Sequence, residues 1–169
     1  MAAIMEFVEP TQLKTLPERI RKSAGVPCFV YFKAQWCPDC DRSSPIVAQA
    51  LGAGACKAFW VDVGDKPTFR DKDSEVRKLC KDVWLVKCLP TLIFIGSDGS
   101  GTMLDRVDEA LEQEEDPVKA AKVADHFVRQ SLTGRSTAIG QLLALHPFKF
   151  AAGAVAMAAI AAVVMARKK

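Results

Sequence analysis

The spacing of hydrophobic residues changes period repeatedly along this chain, and each period predicts an element. A short apolar stretch at residues 4–9 reads as a strand ended by Pro10, and Leu13, Leu16 and Ile20 recur at helical spacing between Thr11 and Lys22. Aromatic and β-branched residues then run through 28-CFVYFKA-34, the pattern of a buried strand. A helix is predicted from Pro38, because proline suits a first helical turn, and Pro45 within it predicts a kink. The segment 58-AFWVDV-63 reads as a second buried strand, 64-GDKPTFRDKD-73 as a polar loop and 74-SEVRKLCKDVW-84 as a helix. Asp98-Gly99, in the turn 96-GSDGSG-101, joins 91-TLIFI-95 and 102-TMLDRV-107 into a predicted hairpin. The last body helix is predicted over 116–132, with Ala120, Val123 or Ala124, Phe127 and Val128 on its inner face. The order β-α-β-α-β-α-β-β-α combines helical crossovers, which pair strands in parallel, with a late antiparallel hairpin. It predicts an α/β fold whose mixed central sheet carries helices on both faces.

Composition agrees with one folded body and adds a tail. With 50% apolar and 25% charged residues, 169 residues can bury a substantial core. All 20 acids fall within residues 1–131, whereas the last 38 residues hold five cations and no acid. No basic stripe interleaved with aromatics runs through the body, which argues against a nucleic-acid partner. We therefore divide the chain into a body at 1–131, a linker at 132–147 and a tail at 148–169. Residues 150–166 contain no polar side chain, and Lys149 and Arg167 to Lys169 flank them. As a helix this run spans roughly 25 Å, enough to cross a membrane if the flanking cations reach the head groups, so a C-terminal transmembrane helix is predicted.

Six cysteines invite a disulfide framework. Glu6 and Glu9 stand where an export signal would carry cations and an unbroken apolar run, so the expectation is a reducing, cytosol-like surrounding. There a close cysteine pair means redox chemistry or metal. In 36-WCPDC-40 the pair follows a buried strand and opens a helix, whose N-terminal N–H groups favour the thiolate of the first cysteine. Cys37 is the expected nucleophile, and Cys40, one turn in, the expected resolving thiol. A zinc site needs a second ligand pair; Cys80 and Cys88 are eight residues apart and His126 and His146 lie far along the chain, so no metal is expected.

The strand before 36-WCPDC-40, Pro45 five residues after the second cysteine, and 89-LPTLIFI-95 followed by a hairpin strand resemble the thioredoxin fold over roughly residues 4–131. The Pro-Asp dipeptide between the cysteines and the downstream 62-DVGDKPTFRDKDSEVRKL-79 are most similar to the family of thioredoxin domain-containing protein 17. The resemblance implies a cis peptide bond before Pro90, a Leu89 backbone beside Cys37 that pairs with extended substrate, and Trp36 as an apolar wall; with Pro38 these form the expected substrate-binding set. It also implies recycling by an NADPH-dependent, thioredoxin-reductase-like enzyme or a low-molecular-weight dithiol, with no bound cofactor. The chain departs from the pattern at Tyr31, where ordinary thioredoxins carry a buried acid that helps deprotonate the second cysteine. Asp39 is the nearest replacement, as a base or a tuning charge. The insertion that the related family carries before its tryptophan is also absent.

The stretch 86-VKCLPT-91 resembles animal cytosolic thioredoxins, which implies an exposed, regulatory Cys88 beside the active face. Cys28 and Cys56, at strand starts, read as small buried hydrophobes, Cys80 is ambiguous, and the acidic run from Asp105 to Asp116 reads as a solvated loop and helix start. The function expected is a thiol–disulfide oxidoreductase that reduces protein or small-molecule disulfides, anchored through 150–166 with its catalytic domain in the cytosol. Short tails ending in basic residues resemble those sorted to the mitochondrial outer membrane or peroxisomes. The alternative is a membrane-tethered adaptor that binds clients through its Trp36 and Pro90 face under redox control.

Overall fold

Strands form where the sequence concentrates its aromatic and β-branched residues. In the computed structural model, which describes residues 3–99 and 101–133, these are β1 (Ile4–Val8), β2 (Cys28–Lys33), β3 (Lys57–Asp62), β4 (Thr91–Gly96) and β5 (Asp105–Val107). They make one sheet in the order β1-β3-β2-β4-β5. The β1–β3 and β3–β2 pairs are parallel, and β4 runs antiparallel to both β2 and β5. The predicted mixed sheet is thus present, with β2 and β3 buried centrally and β1 on an edge.

Side chains alternate across the sheet and divide the core in two. Val30, Phe32, Phe59, Val61, Ile93 and Ile95 pack on one face with Leu13, Leu16, Ile20 and Trp84. Phe29, Tyr31, Ala58, Trp60, Leu92 and Phe94 pack on the other with Val47, Leu51, Ala124, Phe127 and Val128. The first layer is covered by a 3-10 turn (Pro10–Thr15) running into α1 (Leu16–Arg21), and the second by α2 (Pro38–Gly52) and α6 (Pro117–Leu132). Helices therefore lie on both faces, because a sheet with two apolar faces needs two covers.

Several elements differ from the expectation. The helix predicted from residue 11 is a 3-10 turn up to Thr15, and regular α-geometry begins only at Leu16, with Pro17 in its first turn. The supposed loop at 64–73 contains α3 (Lys66–Arg70), because Asp65 caps it by accepting from the Thr68 N–H and Pro67 suits its first turn. The helix expected over 74–84 is α4 (Glu75–Lys78), capped by Ser74, which then widens into a π-helical turn (Leu79–Val83). The second hairpin strand is three residues long instead of six. The acidic run, expected to be a solvated loop and the start of the last helix, also holds a separate short helix, α5 (Glu109–Gln113), with Asp108 accepting from the Glu109 N–H and Leu111 buried beneath. Pro45 lies within α2 (Pro38–Gly52), inside the helix where the sequence places it. Among the described residues no helix is long and apolar enough to cross a membrane. The linker beyond Thr133 and the apolar run at 150–166 lie outside the described residues.

Candidate redox site

The site is built where β2 ends and α2 begins. Cys37 has an extended backbone and caps α2, so its sulfur accepts the Cys40 N–H at 3.1 Å while its carbonyl accepts the Cys40 and Asp41 N–H groups at 3.0 and 3.2 Å. Donors and dipole at the start of a 15-residue helix therefore converge on the first cysteine, the arrangement that stabilises a thiolate. Cys37 and Cys40 are joined as a disulfide, their Cα atoms 5.2 Å apart. Both are buried in this state, Cys37 4% and Cys40 1% exposed, so the expected contrast between an open and a shielded cysteine is small.

The cis bond implied before Pro90 is present, and the Leu89 carbonyl oxygen lies 3.6 Å from the Cys37 sulfur. Leu89 and Pro90 are buried and Pro38 is exposed on the first turn of α2. Trp36 is half-buried, and the 62–73 segment holds it in place. Its indole Nε1–H donates to the Gly64 carbonyl at 2.7 Å, and its ring lies 5.8 Å from that of Phe69. Gly64 sits at φ +78 with its own N–H donated to Asp62 Oδ1, and an added Cβ would lie 3.2 Å from Pro10. Only glycine meets that combination without strain, so the GDKP segment works as the mount of the tryptophan wall. Beside it opens a groove of about 460 Å³ lined by Glu9, Gln35, Trp36, Asp62 and Asp65.

Behind the cysteines, Tyr31 occupies the position of the buried acid and is fully buried. Its hydroxyl is hydrogen-bonded to Ser43 Oγ at 2.8 Å and Ser44 Oγ at 3.3 Å, and those hydroxyls donate to the Asp39 and Cys40 carbonyls at 2.7 and 2.6 Å. Burial pushes the phenol up from its ordinary value, so Tyr31 stays neutral and takes no proton from Cys40. Asp39 is the acid inside the motif, and its Oδ1 accepts from Arg42 Nη2 at 2.9 Å. That same nitrogen donates to the Glu112 carbonyl on α5, also at 2.9 Å. Arg42, Ser43 and Ser44 carry no motif signal in the sequence, and Glu112 stands out there only as one acid of the run from Asp105 to Asp116. The three-residue spacing of Asp39 and Arg42 on a helix was the available signal for one contact, and nothing local pointed to the contact with Glu112.

The other cysteines are held protonated. Burial pushes the Cys80 thiol up to about 12 and the Cys56 thiol up to about 11, and also raises Cys28. Cys88 is half-buried instead of exposed, and burial, followed by the Glu112 carboxylate that accepts a hydrogen bond from its S–H, pushes it up to about 12. In the reduced chain at neutral pH, Cys37 is expected to be alkylated fastest of the six. Each unit by which a pKa is raised removes about tenfold of the thiolate, so Cys56, Cys80 and Cys88 should lag by about 10²-fold or more. Peptide mapping after limiting alkylation checks this, and preferential labelling of Cys80 or Cys88 would overturn the assignment. Linkage adds a second consequence. The folded state keeps the Cys80 proton while the unfolded chain releases it near pH 9. This contribution to stability is therefore complete below about pH 9 and fades as pH rises toward about 12. Urea midpoints for the reduced chain should fall over that window, less steeply in Cys80→Ala.

Among the described residues no group of three or more His, Cys, Asp and Glu side chains is gathered to hold a metal ion. What the geometry offers is a dithiol at a helix start, faced by a backbone carbonyl and an aromatic wall, which can carry thiol–disulfide exchange.

Known proteins similar to this chain are found by comparison. The profile of the thioredoxin domain of the thioredoxin domain-containing protein 17-like family matches residues 11–114. Human thioredoxin domain-containing protein 17 is 30% identical over 101 residues, covering 54% of this chain and 79% of that protein. The mouse protein is 26% identical over 104 residues, covering 56% and 81%. Among solved structures, the short form of spinach chloroplast thioredoxin f aligns with a TM-score of 0.49 at 14% identity, over 73% of this chain and 95% of that one. The family profile spans more than half of the sequence and includes the cysteine pair, the Trp36 mount and the Leu89-Pro90 turn: this chain belongs to the thioredoxin domain-containing protein 17-like family.

Proposed function

We propose that this protein is a disulfide reductase, cycling Cys37 and Cys40 between dithiol and disulfide. The observation that carries the reading is the Cys37 sulfur at the start of α2, accepting the Cys40 N–H and paired with the Cys40 sulfur. The Cys37 thiolate attacks one sulfur of a client disulfide; the client S–S bond breaks, and the departing sulfur leaves as a thiolate and takes a proton. Cys40, once deprotonated, attacks Cys37 in the mixed disulfide. The second client sulfur is released as a thiol, and the two electrons that reduced the client leave Cys37 and Cys40 as a disulfide. Asp39 tunes this step or accepts the Cys40 proton, a role left open by the neutral Tyr31. An extended client segment lies against the Leu89 backbone and Pro90, with Trp36 and Pro38 beside it. Carboxylates at Glu9, Asp62 and Asp65 in the groove next to Trp36 disfavour acidic clients.

Electrons return from an NADPH-dependent, thioredoxin-reductase-like enzyme or from a low-molecular-weight dithiol. The apolar run at 150–166 tethers the protein to a membrane, the mitochondrial outer membrane or that of peroxisomes, with the redox body in the cytosol. Trapping tests the client half of the proposal. Cys40→Ser should accumulate mixed disulfides through Cys37 that thiol reagents release, whereas Cys37→Ser/Cys40→Ser should accumulate none. Equal recovery from both variants would contradict it.

A further inference from the structure

An aspartate between the two cysteines sets a problem for the chemistry. At neutral pH the Cys37 thiolate would form within one helical turn of the Asp39 carboxylate, and two negative charges at that separation oppose each other. Arg42 meets the carboxylate on the same face of α2, with Nη2 2.9 Å from Asp39 Oδ1. A pair of this spacing on an open helix is worth little, because two long side chains must be ordered in water. Here the Asp39 and Arg42 side chains are only 33% and 31% exposed, and the same Nη2 also donates to the Glu112 carbonyl. The guanidinium is thereby fixed between α2 and α5, elements 70 residues apart in sequence, and its place over Asp39 is set by the fold.

We propose that Arg42 is a positioning residue for disulfide exchange, holding the Asp39 carboxylate in a neutral pair anchored to α5 so that the acid inside the motif does not oppose the Cys37 thiolate. The proposal rests on Cys37 as the nucleophile and adds a residue to that site. Other charged groups nearby are Asp41 on α2, the acids Asp108, Glu109 and Glu112 that act on Cys88, and Lys66 over the Trp36 ring. None of these is paired with Asp39, so Arg42 carries the compensation.

The test is the pH profile of Cys37 alkylation by iodoacetamide in the reduced full chain, resolved by peptide mapping. Arg42→Gln is expected to raise the midpoint by about half a pH unit and to slow alkylation at pH 7 about threefold, a modest shift because the pair is partly solvated. Arg42→Lys, which keeps the charge, should stay near the wild-type midpoint. In an Asp39→Asn background, Arg42→Gln should move nothing, since Arg42 acts through the carboxylate. An unmoved profile in Arg42→Gln, an equal shift in Arg42→Lys, or an equal shift without the Asp39 charge would each overturn the proposal. The profile is read at Cys37 itself and needs no client. A failure here is therefore distinct from a failure to reduce disulfides, which would show in the unmutated chain.

Discussion

Replacing Cys37 by serine is expected to abolish disulfide reduction, lowering turnover by on the order of 10³-fold or more, with the fold unchanged. A hydroxyl at this position cannot become an anion under the influence of one helix N-terminus, and without the sulfur anion no bond to the client forms. Cys40→Ser should be nearly as slow in steady state but different in kind: the first attack proceeds and the mixed disulfide persists. The measurement is reduction of a small chromogenic disulfide by the pre-reduced chain, freed of external dithiol and followed as a single turnover. An adaptor working by shape alone would keep its partner in Cys37→Ser, so persistence of client binding together with unchanged function in that variant would favour the adaptor over the enzyme.

Removing residues 134–169 should have the second large effect, on location instead of chemistry. Seventeen consecutive residues without a polar side chain leave no face for water, and Lys149 and Arg167 can reach the head groups on either side. The truncated chain is expected in the soluble fraction with full reductase activity, the intact chain in the membrane pellet after alkaline carbonate extraction. A charge at Ala158, near the middle of the run, should detach the intact chain as well. A central charged residue costs about 2.5–3.5 kcal/mol on insertion scales, and a segment this rich in alanine has little to offset it. Release of the intact chain by carbonate to the same extent as the truncated one would show that the tail is no anchor.

The parts of the fold that were legible in the sequence are those with one dominant cause. Cys28–Lys33 and Lys57–Asp62 are runs of aromatic and β-branched residues buried on both faces, and a central strand in a doubly covered sheet requires that pattern. The cysteine pair could be placed at a helix start because Pro38 belongs in a first turn. The misread elements are short and owe their form to capping. Residues 66–70 and 109–113 each bury one large apolar side chain, Phe69 and Leu111, so neither shows a period, and each depends on a preceding aspartate cap.

Within the site, the residues named from the motif come together, while their supports had no local signature. Trp36 is held by a backbone carbonyl 28 residues on, and Arg42 by one 70 residues on. The missing acid at position 31 was legible. That a buried tyrosine there would join two serines of α2 was not, because the link crosses from strand to helix. Cys88 shows the limit of resemblance: it is half-buried where exposure was implied, and the carboxylate that faces it belongs to α5, a helix too short to leave a period in the sequence.

Whether Cys37 and Cys40 form one reversible two-electron couple is read by redox titration of the full chain. The protein is equilibrated in buffers of graded dithiol-to-disulfide ratio, the thiols are trapped by rapid alkylation, and each cysteine is read by peptide mass. Cys37 and Cys40 are expected to change state together along a single two-electron curve while Cys28, Cys56 and Cys80 remain thiols throughout. A pair that stays unchanged across the range, or oxidation that joins Cys37 to any cysteine other than Cys40, would contradict it.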